Sequence, residues 1–165
     1  MRRLQGVTKR HDPTRGDKLI IAGREVFTIG EWMYFGFQVG GSHKPPRKWF
    51  SSYARLPIDR FVEWHAEGDG MLQLPPVRLD PTVKAMTVNA RTADDGWVRV
   101  RILRPRGQSA GAETLAHSEP MTGDSLHHSV KFTNANALAA ISRSGNPAII
   151  VFDLHKAGLF AFGLE

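Results

Sequence analysis

Gly123-Asp124-Ser125-Leu126 is the stretch that first suggests bond-breaking chemistry, because a serine hydroxyl on a tight strand-to-helix turn can attack an ester carbonyl. Such a serine needs a base to take its proton and an acid to orient the base. The matching Asp and His would stand near the chain end with two residues between them. Asp153 and His155 have only one residue between them, and no strand-helix-strand pattern precedes the block. Gly-Asp-Ser therefore reads as a turn, in which short polar side chains bond nearby backbone N–H groups.

Metal chemistry fares no better. His127 and His128 are adjacent, so on a strand they face opposite sides. His11, His43, His65, His117 and His155 are scattered, and Cys is absent, which removes thiolate sites, disulfides and Cys nucleophiles together. No metal site and no cofactor is expected. Asp59 and Glu63 are four apart and would share a helix face, but Pro57 and the β-branched residues around them argue for an edge strand carrying solvated carboxylates. The glycines from Gly36 to Gly41 are followed by neither Lys-Ser/Thr nor a helix, so they do not cradle phosphate.

Aromatic and basic residues remain. Trp32, Tyr34, Trp49, Tyr53, Trp64 and Trp97 could stack on sugar rings or pack across strands. Core packing is the reading for Trp32 and Trp97; Trp49, which follows a basic loop, fits either. The net charge is +6, and it is uneven: residues 1–60 carry 12 basic and 5 acidic side chains, residues 61–165 carry 10 and 11. A basic first third could track a polyanion. The residues are scattered, however, and match no nucleic-acid motif, which favours a solvated surface. Arg99, Arg101 and Arg104 alternate with apolar residues, as on the outer face of a strand.

Extended segments must position these groups. Leu19–Ala22, Glu25–Ile29 and Trp32–Phe37 read as strands, with Ala22-Gly23-Arg24 short enough for a hairpin turn between the first two. Ser42–Lys48 contains Pro45-Pro46 and is a loop. Trp49–Tyr53 resumes as a strand. Glu67-Gly68-Asp69-Gly70 marks a domain boundary, beyond which period-2 alternation is cleaner. Lys84–Ala90 and Trp97–Leu103 alternate, and Asp94-Asp95-Gly96 between them reads as a hairpin connection. His128–Thr133 is a shorter strand. Ala148–Leu154 is a near-continuous apolar run, as in a central strand buried on both faces, and Leu159–Leu164 is the last strand. Asn136–Ser142 is the only plausible helix.

The chain has 165 residues, 41% apolar and 23% charged, as suits one ordinary domain or a sandwich with a small appendage. No run approaches the ~18 apolar residues of a membrane span. No apolar stretch follows Met1-Arg2-Arg3, so no signal peptide is visible and cytoplasm is the favoured compartment.

The second half as a whole resembles the C-terminal β-sandwich of bacterial five-bladed-propeller glycosidases of the invertase, levanase and arabinanase type. The resemblance is carried by Leu72-Gln73-Leu74-Pro75-Pro76-Val77, by the strand end Val88-Asn89-Ala90, and by Gly96-Trp97-Val98-Arg99-Val100. Pro120–His128 and the closing Phe152–Phe162 complete it. Gly30–Gly36 is similar to a strand closing the last propeller blade, and Leu56–Val62 to the segment that hands over to the sandwich, although Arg60 stands where relatives often have Gly. In that family the catalytic carboxylates lie in the early blades, which this chain lacks, so no Asp or Glu here is assigned a catalytic role.

The resemblance implies an all-β protein with three parts: a basic segment at 1–17, a small blade-like β-meander at 18–66, and an antiparallel β-sandwich of jelly-roll or concanavalin-like type at 68–165. It implies a non-catalytic, glycosidase-associated module, structural or weakly carbohydrate-binding, with His43, Trp49 and Tyr53 as sugar contacts. Two alternatives stand beside it: a subunit of a split glycoside hydrolase completed by a partner chain, and a basic polyanion- or nucleic-acid-binding module. Leftover blade strands would expose unpaired edges, so a homo-oligomer or a partner chain is expected to cover them.

Overall fold

A computed structural model describes residues 19–40, 49–105 and 113–165. The chain divides into two compact units, Met1–Phe61 and Val62–Glu165. The described residues are all-β apart from one short helix, and every strand pair is antiparallel.

The first unit is a three-stranded meander, β1 (Leu19–Ile29), β2 (Trp32–Gly40) and β3 (Trp49–Pro57), in that order across the sheet. The two-residue loop Gly30-Glu31 joins β1 to β2, with Gly30 at φ 57 supplying the positive φ that tight hairpin loops require. The expected turn at Ala22-Gly23-Arg24 is absent. β1 runs through it with a register shift between Ala22 and Val26, because Val26–Ile29 continue pairing with Trp32–Phe35. A short Gly-containing stretch is here a bulge inside one strand.

The second unit contains β4 (Trp64–Gln73), β5 (Met86–Arg104), β6 (Glu113–His117), β7 (Asp124–Ser129), α1 (Ala137–Ser144) and β8 (Ile149–Leu164). The sheet order is β4-β8-β5-β6, with β7 also pairing to β5. β8 flanks β5 along nearly its whole length, while β6 and β7 share the opposite edge of β5 at its two ends. The apolar run Ala148–Leu154 thus forms part of a central strand, as its composition predicts.

At one level the adjacent strands β4, β8 and β5 depart from regular pairing. β5 sends Ala93–Gly96 past the single residue Lys156 of β8, and β4 sends Glu67 and Gly68 past the same residue. Lys156 has φ 45, where non-glycine residues are uncommon, and its ammonium pairs with Asp95. Gly96 has no room for a side chain, since a Cβ would stand 2.5 Å from the Lys156 carbonyl oxygen. Surplus residues bend a strand and raise its twist, so each strand has an arm on either side of this level. Val88, Ala90 and Leu159 from one arm join Val98, Val100, Ile102, Ile150, Phe152 and Leu154 from the other in one buried cluster.

Two sequence expectations are corrected by this corner. Asp94-Asp95-Gly96 does not reverse the chain, and Glu67–Gly70 is not a linker but lies within β4. Asp94-Asp95-Gly96, and Glu67 and Gly68 of the second stretch, are surplus residues opposite Lys156. The strand expected at His128–Thr133 begins earlier, at Asp124; beyond Ser129 the chain folds back through the Ser118–Phe132 bridge. α1 forms where the helix was expected, contributes Ala137 and Leu138 to the core, and ends at Gly145 with φ 65. Its buried Ser142 hydroxyl donates to the Val83 carbonyl at 2.9 Å.

Replacing Phe152, which is fully buried, by Ala should cost about 3–5 kcal/mol of stability. The same change at Phe162, an exposed ring 5.3 Å from Phe152, should cost far less. Denaturant titration of the full chain measures both, and equal losses would contradict the placement of the core.

Candidate functional site

Antiparallel register partners point to the same face of a sheet, as do residues two apart on one strand. The pairs Phe27–Tyr34, Tyr34–Arg55, Ile29–Trp32, Trp32–Pro57, Gly36–Tyr53 and Gly40–Trp49 therefore put Phe27, Ile29, Trp32, Tyr34, Trp49, Tyr53 and Arg55 on one face of the first unit's sheet. Along β3, Trp49 to Pro57 spans about 26 Å at the usual strand rise.

The rings on this face touch. Phe27 and Tyr34 are stacked, 5.3 Å between centroids and 5° between planes. Tyr53 stands across Phe27 at 5.8 Å and 76°, and it is 65% exposed. Gly36, its register partner, leaves the ring room, because a Cβ there would meet Tyr53 at 3.7 Å. The Arg55 guanidinium lies over the Trp32 ring, 4.3 Å from its centroid. The result is an aromatic strip with one cation on it, half-exposed along its length. Such a surface can stack on the C–H faces of sugar rings or other planar ligands.

The three residues expected to contact sugar fare differently. His43 lies outside the described residues. Trp49 and Tyr53 do share the aromatic face, four residues apart on β3. Trp49 is half-buried, its indole lying against Gly40 so closely that a Cβ at that position would stand 2.5 Å from the ring. Trp32, expected in the core, lies on this face and is 36% exposed. Phe27 and Arg55 were not singled out from sequence. The signal was present, since Phe27-x-Ile29 and Trp32-x-Tyr34 mirror each other across Gly30.

The second unit's outer face has another character. Arg91 grips Glu63 with two hydrogen bonds, 3.0 and 2.7 Å, and His65 Nδ1 lies 3.3 Å from the same carboxylate. Arg101 grips Asp153 at 2.6 and 2.7 Å. His155 Nδ1 lies 2.6 Å from Asp69 and its ring stacks on Trp97 at 5.9 Å. Arg99 covers Trp97 at 5.1 Å. Arg104 pairs with Glu113, and Lys156 with Asp95. The alternation of Arg99 and Arg101 with Val98, Val100 and Ile102 thus separates an ionic outer face from the core, as the sequence pattern predicts.

These partners decide what the carboxylates can do. Burial raises the Glu63 pKa, but hydrogen bonds and charge from Arg91, with help from His65, outweigh it and hold the group below its usual value. The Lys156 hydrogen bond lowers Asp95, and the Thr82 hydroxyl and N–H lower Asp80. A general acid for glycoside cleavage requires the opposite shift. Asp59 does not pair with Glu63 on a helix: it sits in the turn after β3 at φ 60. Ser125 lies in β7 opposite Ala90, and its hydroxyl accepts from the His127 N–H at 3.1 Å. His127 is exposed and His128 half-buried, on opposite sides of β7. No group of three or more metal-ligating side chains gathers among the described residues, and no helix there is long and apolar enough to cross a membrane. Comparison of the chain with family models, with characterised proteins and with solved structures finds no match.

Glu63 yields a pH prediction. Its folded pKa is depressed, so its contribution is complete above the unfolded value of about 4.3 and is lost as pH falls through the folded value. Glu63→Gln should cost about 1–3 kcal/mol at neutral pH, and the gap from the parent protein should narrow as pH falls below about 4.3 and close once pH is below the folded value. Gly158→Ala should be at least as damaging, because its Cβ would fall 1.9 Å from Glu63 Oε1. Denaturation curves across pH test this; a gap that persists at low pH would refute the assignment.

Proposed function

We propose that the chain is a non-catalytic module that holds carbohydrate on the aromatic face of its first unit, in the manner of accessory modules attached to glycoside hydrolases. The observation that supports this reading is the strip in which the Phe27 ring meets both Tyr34 and Tyr53 on a half-exposed sheet face. Rings locked by neighbours lose little further freedom when a ligand arrives, which favours stacking. The second unit, in this reading, is an antiparallel β-sandwich formed by bending one sheet over its own core. It has a supporting role, and its apolar arms and ion-paired exterior suit a scaffold.

The polyanion alternative rests on the basic residues of the first third, most of which lie outside the described residues, and the second unit adds nothing to it. Arg91, Arg101, Arg104 and Lys156 each face a carboxylate, so they are not free to track phosphates. The split-hydrolase alternative keeps one supporting observation. The opposite face of the first sheet exposes Val26 and Phe50, the latter by 64%, as a surface awaiting a partner chain would.

A glycan array followed by isothermal titration on the full chain tests the reading. Tyr53→Ala should weaken binding of any glycan captured by about fivefold to a hundredfold, the range of one stacking contact. Absence of binding across the array would reject it.

A further inference from the structure

Arg55, like Arg99 on Trp97, rests on an indole, but Arg55 is exposed and Arg99 is half-buried. Arg91, Arg101 and Arg104 are each neutralised by a carboxylate, whereas Arg55 is seated on the Trp32 ring and meets no carboxylate among the described residues. It is exposed, it is the register partner of Tyr34, and it lies two residues from Tyr53 on the same face. Residues 1–60 also carry a net charge of +7, against −1 for the remainder.

We infer that this face takes an acidic polysaccharide, a chain of uronate rings, with Arg55 binding a ring carboxylate while the aromatic strip stacks on the sugars. The inference rests on the carbohydrate-binding reading above and adds the class of sugar. Guanidinium is always charged, and its planar fork meets the two oxygens of a carboxylate with parallel hydrogen bonds. The guanidinium carbon lies 4.3 Å from the Trp32 centroid, and Arg55 shares its face with Tyr34, its register partner, and Tyr53, two residues away on β3. A neutral glycan would bring the cation no counter-charge, whereas a uronate ring would.

The experiment titrates the full chain with oligogalacturonate, with its methyl ester (the same backbone without charge), and with polyglutamate (the charge without sugar rings). Oligogalacturonate should bind tightest, and added salt should weaken it. Arg55→Gln should lower its affinity about fivefold, to near that of the ester, and leave the ester unchanged. Arg55→Lys, which keeps the charge but not the fork, should fall between, and circular dichroism of each variant confirms folding. Equal binding of the acid and the ester, both lost on Tyr53→Ala, would overturn the uronate assignment while supporting the aromatic face. Polyglutamate bound as tightly as oligogalacturonate, with the same dependence on Arg55, would also overturn it. Binding of neither sugar would leave the assignment without support and, with an empty array, reject the carbohydrate reading as well.

Discussion

At the level of Lys156, two strands of the second unit carry more residues than the strand between them, and the surplus has to leave the plane of the sheet. A flat five-stranded sheet would have one apolar face in need of a second layer. In the sandwich reading proposed above, bending at one level lets the sheet supply that layer itself. Val98, Val100 and Ile102 then meet Val88, Ala90 and Leu159 without leaving the same pair of strands. The helix and the chain before β5 close what remains, through Leu138, Leu79 and Val83. The positive φ at Lys156 and the absence of a side chain at Gly96 are local costs accepted for one core.

The two units use charge in opposite ways. On the second, cations and carboxylates face one another across neighbouring strands, and Glu63 lies so near the β8 backbone that only glycine fits beneath it. Such pairs tie neighbouring strands together and keep their bases occupied. On the first, Arg55 leans on an aromatic ring, as Arg99 does on the second, and Phe27 meets the rings of Tyr34 and Tyr53. In the proposed reading, a scaffold and a receptive face are separated by residue chemistry within one chain.

Much of this was legible from sequence, and the failures share a cause. Alternation in Trp97–Leu103 separated inner from outer residues, and the apolar run at Ala148–Leu154 marked a central strand. Ala22-Gly23-Arg24, Glu67–Gly70 and Asp94-Asp95-Gly96 were all read as breaks between elements, and all three are bulges within strands. Their composition suits either outcome. Whether the chain reverses or merely detours depends on the strand alongside, which is distant in sequence. The aromatic face was half legible for the same reason: Tyr53, Trp49, Trp32 and Tyr34 were visible as residues, but only register shows that they look the same way as Phe27 and Arg55.

The corner opposite Lys156 also fixes where this chain can tolerate change in length. Ala93, Asp94 and Asp95 are exposed and already unmatched by any residue of β8, so the ladders on either side do not count them. Extra residues there, a reporter peptide or a whole inserted domain, would enlarge a detour and shift no pairing. A single residue added one turn of pleat further on, within Trp97–Leu103, would instead exchange the inner and outer sides of the longest strand.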